Sequence, residues 1–154
     1  MKALLLGLVL ISSHVFAFGY KTNTTRFIVS SFTADGGRVF YNCRSVERAT
    51  LRMLKQLGAK KTRVRCRGGL DPLNGFSTEA VVRASFQSLD ASIAGNISTS
   101  LYDESFNHRT DCHLYNTIFD SVKKDFEISS YNVDRCFRSG DRTRIRAEVI
   151  KEIK

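Results

Sequence analysis

The chain has 154 residues, 42% of them hydrophobic and 25% charged, with 24 Lys+Arg against 15 Asp+Glu for a formal net charge of +9. That apolar share supports a real core and excludes wholesale disorder, and a single Pro with ten Gly excludes collagen-like and Pro-rich classes. No apolar run reaches the roughly 18 to 20 residues a spanning helix needs, which speaks against an integral membrane protein.

The N-terminus reads as an address. Lys2 is followed by the apolar run Ala3 to Ile11, then Ser12-Ser13, and Val15-Phe16-Ala17 places small or branched residues where a signal peptidase reads. Residues 1–17 are therefore expected to be a secretory signal peptide and 18–154 a single domain. The expected destination is periplasmic or extracellular. All four cysteines, Cys43, Cys66, Cys112 and Cys136, follow the cleavage point, and an even count in an oxidising compartment favours two disulfides.

In the first part of the domain, Arg26 to Phe32 and Arg38 to Tyr41 flank Asp35-Gly36-Gly37, a hairpin signal. After Cys43, the positions Val46, Ala49, Thr50, Met53, Leu54 and Leu57 recur in steps of three and four. That spacing predicts an amphipathic helix with Ser45 as N-cap, Glu47 in its positive first turn and Gly58 as its stop. Lys61 to Arg67 alternates strictly and reads as a strand ended by Gly68-Gly69. The segment from Asp71 to Gly75 reads as loop, and Ala80 to Phe86 as the next strand.

Ser88 to Thr110 is rich in Ser, Asn and Gly and reads as a connecting surface with a short strand around Ile97–Tyr102. Cys112 then opens the same order of events. Leu114, Tyr115, Ile118, Val122 and Phe126 have helical spacing, with Asp111 at the start and Lys123-Lys124 near the end. Glu127 to Val133 is strand-like up to Cys136, Gly140 breaks the chain, and Arg142 to Val149 alternates as a final strand.

The two cysteine pairs are separated by almost the same distance, 23 and 24 residues. The halves, about 38–88 and 108–154, each read Cys, helix, strand, Cys, turn, strand. This parallel favours Cys43–Cys66 and Cys112–Cys136 over crossed pairing. The element order predicts an α+β fold, a mostly antiparallel sheet with two helices on one face, for which a ferredoxin-like arrangement is the nearest common topology.

Strand parity then assigns the arginines. Val64 and Cys66 share one face, leaving Arg63, Arg65 and Arg67 on the other. Arg83 opposes Val82 and Ala84, and Arg142, Arg144 and Arg146 oppose Thr143, Ile145 and Ala147. With helices covering the apolar face, these seven arginines project from the opposite one as an anion-binding surface, since guanidinium forks suit phosphate, sulfate and carboxylate. The bland reading of the same face is a solvated, edge-protecting surface.

An anionic envelope polymer, an acidic glycan, an anionic lipid headgroup or an acidic protein fits such a face. Nucleic acid fits less well, because the exposed positions carry Arg, Ser and Gln rather than stacking aromatics.

Two rival functions accompany this non-catalytic binding module. His108 and His113, in His108-Arg109-Thr110-Asp111-Cys112-His113, are candidates for acid–base chemistry in a small secreted hydrolase or nuclease. A secreted interaction domain, an inhibitor or effector, would use the 88–110 segment. No cofactor or metal motif is present, and a disulfide removes the Cys112 sulfur from metal binding. Asn23-Thr24-Thr25 and Asn96-Ile97-Ser98 match the glycosylation sequon.

Overall fold

Cys43 starts the first helix because Asn42, in extended conformation, accepts the Arg44 N–H on its side chain. This computed structural model describes residues 18–32, 37–71, 75–93, 95–108, 112–136 and 141–153. The proposed signal peptide lies outside them. The element order is β1 (Gly19–Ser30), α1 (Cys43–Gln56), β2 (Lys60–Asp71), β3 (Gly75–Asp90), β4 (Thr99–His108), α2 (Cys112–Val122), β5 (Ile128–Val133) and β6 (Thr143–Glu152). A 3-10 turn, Lys123–Asp125, follows α2. The fold is α+β.

The strands form two three-stranded antiparallel sheets, ordered β1-β3-β2 and β4-β6-β5. Each half is thus strand, helix, strand, strand, with the last strand inserted between the other two. Its outer strands run parallel to each other, the arrangement of a split β-α-β unit. The single sheet expected from the sequence is instead two, because among the described residues no outer strand of the first sheet pairs with β4 or β5. A ferredoxin-like arrangement is not confirmed.

Alternation explains each sheet. In β1, Phe27 and Val29 are buried while Arg26 and Ile28 are exposed; in β3, Ala80, Val82, Ala84 and Phe86 are buried. In β6, Thr143, Ile145, Ala147 and Val149 turn inward. These inner faces share one core with Val46, Met53 and Leu54 of α1 and Ile118, Phe119 and Val122 of α2. α1 packs on β2 and β3, α2 on β1 and β6, and the two helices touch.

Several local expectations are corrected. The N-cap is Asn42 rather than Ser45, and Glu47 serves a different purpose: its carboxylate accepts the Cys66 N–H at 2.7 Å, tying α1 to β2 beside the disulfide. Gly58 does stop α1. Its φ of +92° is costly for other residues, and the Ala59 N–H reaches the Leu54 carbonyl at 2.9 Å.

Gly68-Gly69 does not end β2 but kinks it through a register shift. Gly69 has φ +69°, and a Cβ there would lie 2.3 Å from the Tyr41 carbonyl oxygen. Among the described residues, no second hairpin strand follows β1. Phe32 and Arg38 make only an isolated bridge, and residues 33–36 lie outside the description.

β3 begins at Gly75 and runs on to Asp90, while β4 occupies Thr99–His108 in a segment read mainly as a connection. α2 ends at Val122, four residues before Phe126, and β5 stops at Val133, short of Cys136.

The disulfides are Cys43–Cys66 and Cys112–Cys136, each joining a helix start to the segment that follows. They are compatible with an oxidising compartment. Among the described residues, no helix is long and apolar enough to cross a membrane. Replacing Cys43 and Cys66 together by Ser is expected to lower the unfolding free energy by about 3 kcal/mol, the chain-entropy value for a loop of this size. Urea titration of the oxidised wild type against the double variant measures it.

Candidate functional site

On the outer face of the first sheet, antiparallel register sets Arg26 opposite Arg83, and Arg83 opposite Arg65. Three arginines therefore form one row across three strands. Arg63 and Arg67 flank this row on β2, next to Ser85 and Val81 of β3. All five arginines are exposed.

Neighbouring strands lie about 4.8 Å apart, so the three backbone positions of the row span roughly 10 Å, and each carries a permanently charged side chain. Like charges directly opposite each other destabilise a sheet. Among the described residues, no carboxylate forms an ion pair with any of the five. The face is held together by the core beneath it.

The second sheet places its arginines differently. Arg144 and Arg146 lie on the outer face of β6, and Arg142 is exposed just before that strand. Arg144 lies opposite Asn107 and reaches Asp134 at 4.0 Å. Arg146 lies between Ser105 and Asn132, and the next row carries Asp103, Glu148 and Ser130. Ser130 and Ser129 both donate to Glu148 and hold its carboxyl below the ordinary range. This face mixes both charge signs with neutral polar groups.

The seven arginines proposed from sequence thus fall on two sheets. Arg63, Arg65, Arg67 and Arg83 come together, and Arg142, Arg144 and Arg146 belong elsewhere. Arg26 joins the first group. Its parity against Phe27 and Val29 was available in the sequence, but its alignment with Arg83 exists only in the paired sheet.

His108 is the last residue of β4, opposite Thr143, and its side chain lies outside the description, as do Arg109, Thr110 and Asp111. His113 is half-buried on α2, with its Nε2 buried and lacking a hydrogen-bond partner among the described residues. Cys112 is committed to its disulfide, and no group of three or more His, Cys, Asp or Glu among the described residues is placed to hold a metal ion.

A concavity lies where the halves meet. Its volume is about 640 Å³, and its lining includes Tyr20, Lys60, Tyr102, Lys151 and Glu152. The Lys60 ammonium sits 4.6 Å from the Tyr20 ring centre and pairs with Glu152, which also accepts the Tyr20 hydroxyl at 2.8 Å. Lys151 sits 4.5 Å from the Tyr102 ring centre and pairs with Glu104. Sequence reading missed this cleft because its lysines are already neutralised by carboxylates distant in the chain, and no local motif marks them.

Comparison with family models, with curated proteins and with solved structures finds no match for this chain.

The Lys60–Glu152 pair has a defined pH window. Hydrogen bonds from Lys60 and Tyr20 lower the Glu152 pKa, so its stabilisation is present above the ordinary 4.5 and is lost as pH falls through the folded value. The Glu152 hydrogen bond raises the Lys60 pKa, so that contribution is complete below the ordinary 10.5 and is lost as pH rises past the folded value. Glu152→Gln is expected to lower Tm at pH 7 and to flatten the decline in Tm below pH 5. Differential scanning fluorimetry across pH tests this.

Proposed function

We propose that this protein is an exported, non-catalytic binding module that meets an anionic polymer or surface through the outer face of its first sheet. The observation that carries the reading is the row Arg26–Arg83–Arg65, flanked by Arg63 and Arg67, with no ion-pairing carboxylate among the described residues. Planar forked donors at strand spacing suit closely placed phosphate, sulfate or carboxylate groups. Such ligands relieve the repulsion that the bare face sustains.

The second half supports the reading by contrast. It repeats the strand order of the first, yet its outer face carries Asp103, Glu148 and Asp134 among its arginines. Solubility alone is met by such a mixed surface. Gathering five arginines on one face, none of them ion-paired among the described residues and with Glu79 at the edge of the group, goes beyond that need. The disulfides and the leader-like N-terminus fit a setting outside the cytoplasm, where envelope polymers, acidic glycans and membrane surfaces are the available anions.

The test compares two charge-matched variants on immobilised heparin. Arg65→Glu with Arg83→Glu is expected to weaken binding at least roughly thirtyfold, from about 1 kcal/mol per cation at an anionic surface. Arg144→Glu with Arg146→Glu changes the net charge equally and is expected to weaken it less than about threefold. Equal losses in the two variants would mean that retention follows net charge alone, and would reject the face.

A further inference from the structure

Along β1 the outward positions run Arg26, Ile28 and Ser30, and the alternation continues past the strand: Ser31 is 2% exposed and Phe32 54%. Ile28 is 48% exposed and lies opposite Val81, in the row that also holds Arg67. Arg38, opposite Phe32 in an isolated bridge, places its guanidinium 5.3 Å from the Phe32 ring centre. The arginine row therefore adjoins an apolar strip made of an isoleucine, a valine and an aromatic ring, with a further arginine at its end. Glu79, opposite Ser30, is the carboxylate this strip carries among the described residues.

We propose that this face docks on an anionic lipid bilayer, with the arginines among the headgroup phosphates and with Ile28 and Phe32 entering the interfacial layer. The inference rests on the anion-binding reading and names its partner. Charge complementarity selects an anionic surface, and the exposed apolar strip separates a bilayer from a soluble polyanion. A hydrated polymer gives no return for exposed Ile and Phe beside its binding site, whereas the headgroup–acyl boundary removes them from water.

Geometry agrees. Three strands present cations in two directions, matching a plane of headgroups better than a single thread. Cation–ring stacking holds Arg38 at Phe32, so that aromatic ring and charge enter the interface together.

The experiment uses sedimentation with vesicles of phosphatidylcholine alone or mixed with phosphatidylglycerol, run beside heparin elution. The oxidised protein is expected to sediment with the mixed vesicles and not with pure phosphatidylcholine. Ile28→Ser with Phe32→Ser is expected to weaken vesicle binding at least roughly tenfold, from the two apolar side chains lost, and to leave heparin elution unchanged. Arg65→Glu with Arg83→Glu weakens both.

Heparin retention without vesicle binding overturns the bilayer proposal and leaves the anion-binding reading standing. Loss of both overturns both, and undiminished vesicle binding by the serine variant overturns the role of the apolar strip. A second measurement does not depend on that variant folding. The chain contains no Trp, so Phe32→Trp supplies a lone reporter. Its emission should shift to the blue on mixed vesicles and be quenched by brominated acyl chains. An unchanged spectrum on bound protein excludes insertion of this strip.

Discussion

Alternation of side chains along extended backbone couples the core of this protein to its charged exterior. Val82, Ala84 and Phe86 are held inside by the two helices, so Arg83 and Ser85 face out. A shift by one residue would carry Arg83 into the core and leave Phe86 in water, which is prohibitive for an unpaired guanidinium. The same constraint acts on β1 through Phe27 and Val29 and on β2 through Val64 and Cys66. With all three strands fixed by their inner faces, antiparallel pairing brings Arg26, Arg83 and Arg65 side by side despite their repulsion. The apolar core thus stabilises an outer charge arrangement that the sheet alone would not favour.

The two halves repeat one topology and differ in what they place on it. Each sheet inserts its last strand between the other two, and each helix start is pinned by a disulfide. The outer face of the second sheet balances its charges, whereas that of the first does not. Polar residues on the inner face of the first sheet bind the halves together. Asn23 donates to Ser88 at 2.8 Å, Ser88 donates to the Asp125 carbonyl, and Thr25 donates to the Asp125 carboxylate at 2.6 Å. Asn23, the first residue of one sequon, is thereby buried and occupied, while Asn96 of the other is exposed in an irregular segment.

Much of this architecture was legible in the residues. The helical spacing of Val46, Met53 and Leu54 placed α1, strict alternation placed the cores of β2, β3 and β6, and the matched cysteine spacing selected the disulfide pairing. Errors gathered where local signals compete with distant pairing. Gly68-Gly69 resembles a terminator, yet β2 continues because Leu70 and Asp71 still pair with Phe76 and Gly75 of β3. Thr99–His108 is a weak strand by composition and becomes one because β6 offers it a complete edge.

What the sequence by itself determined is the direction in which each side chain leaves its strand, since that depends only on local period and on which neighbours are apolar. It determined the α+β class and the two covalent links for the same kind of reason: spacing along the chain. Only the tertiary structure decided that the strands part into two sheets, that Arg26 joins Arg83 and Arg65 while Arg144 and Arg146 are drawn apart, and that Tyr20, Lys60 and Glu152 meet across the halves. Those outcomes depend on which strand edges pair, and pairing is selected by burial summed over the whole core rather than by any segment alone.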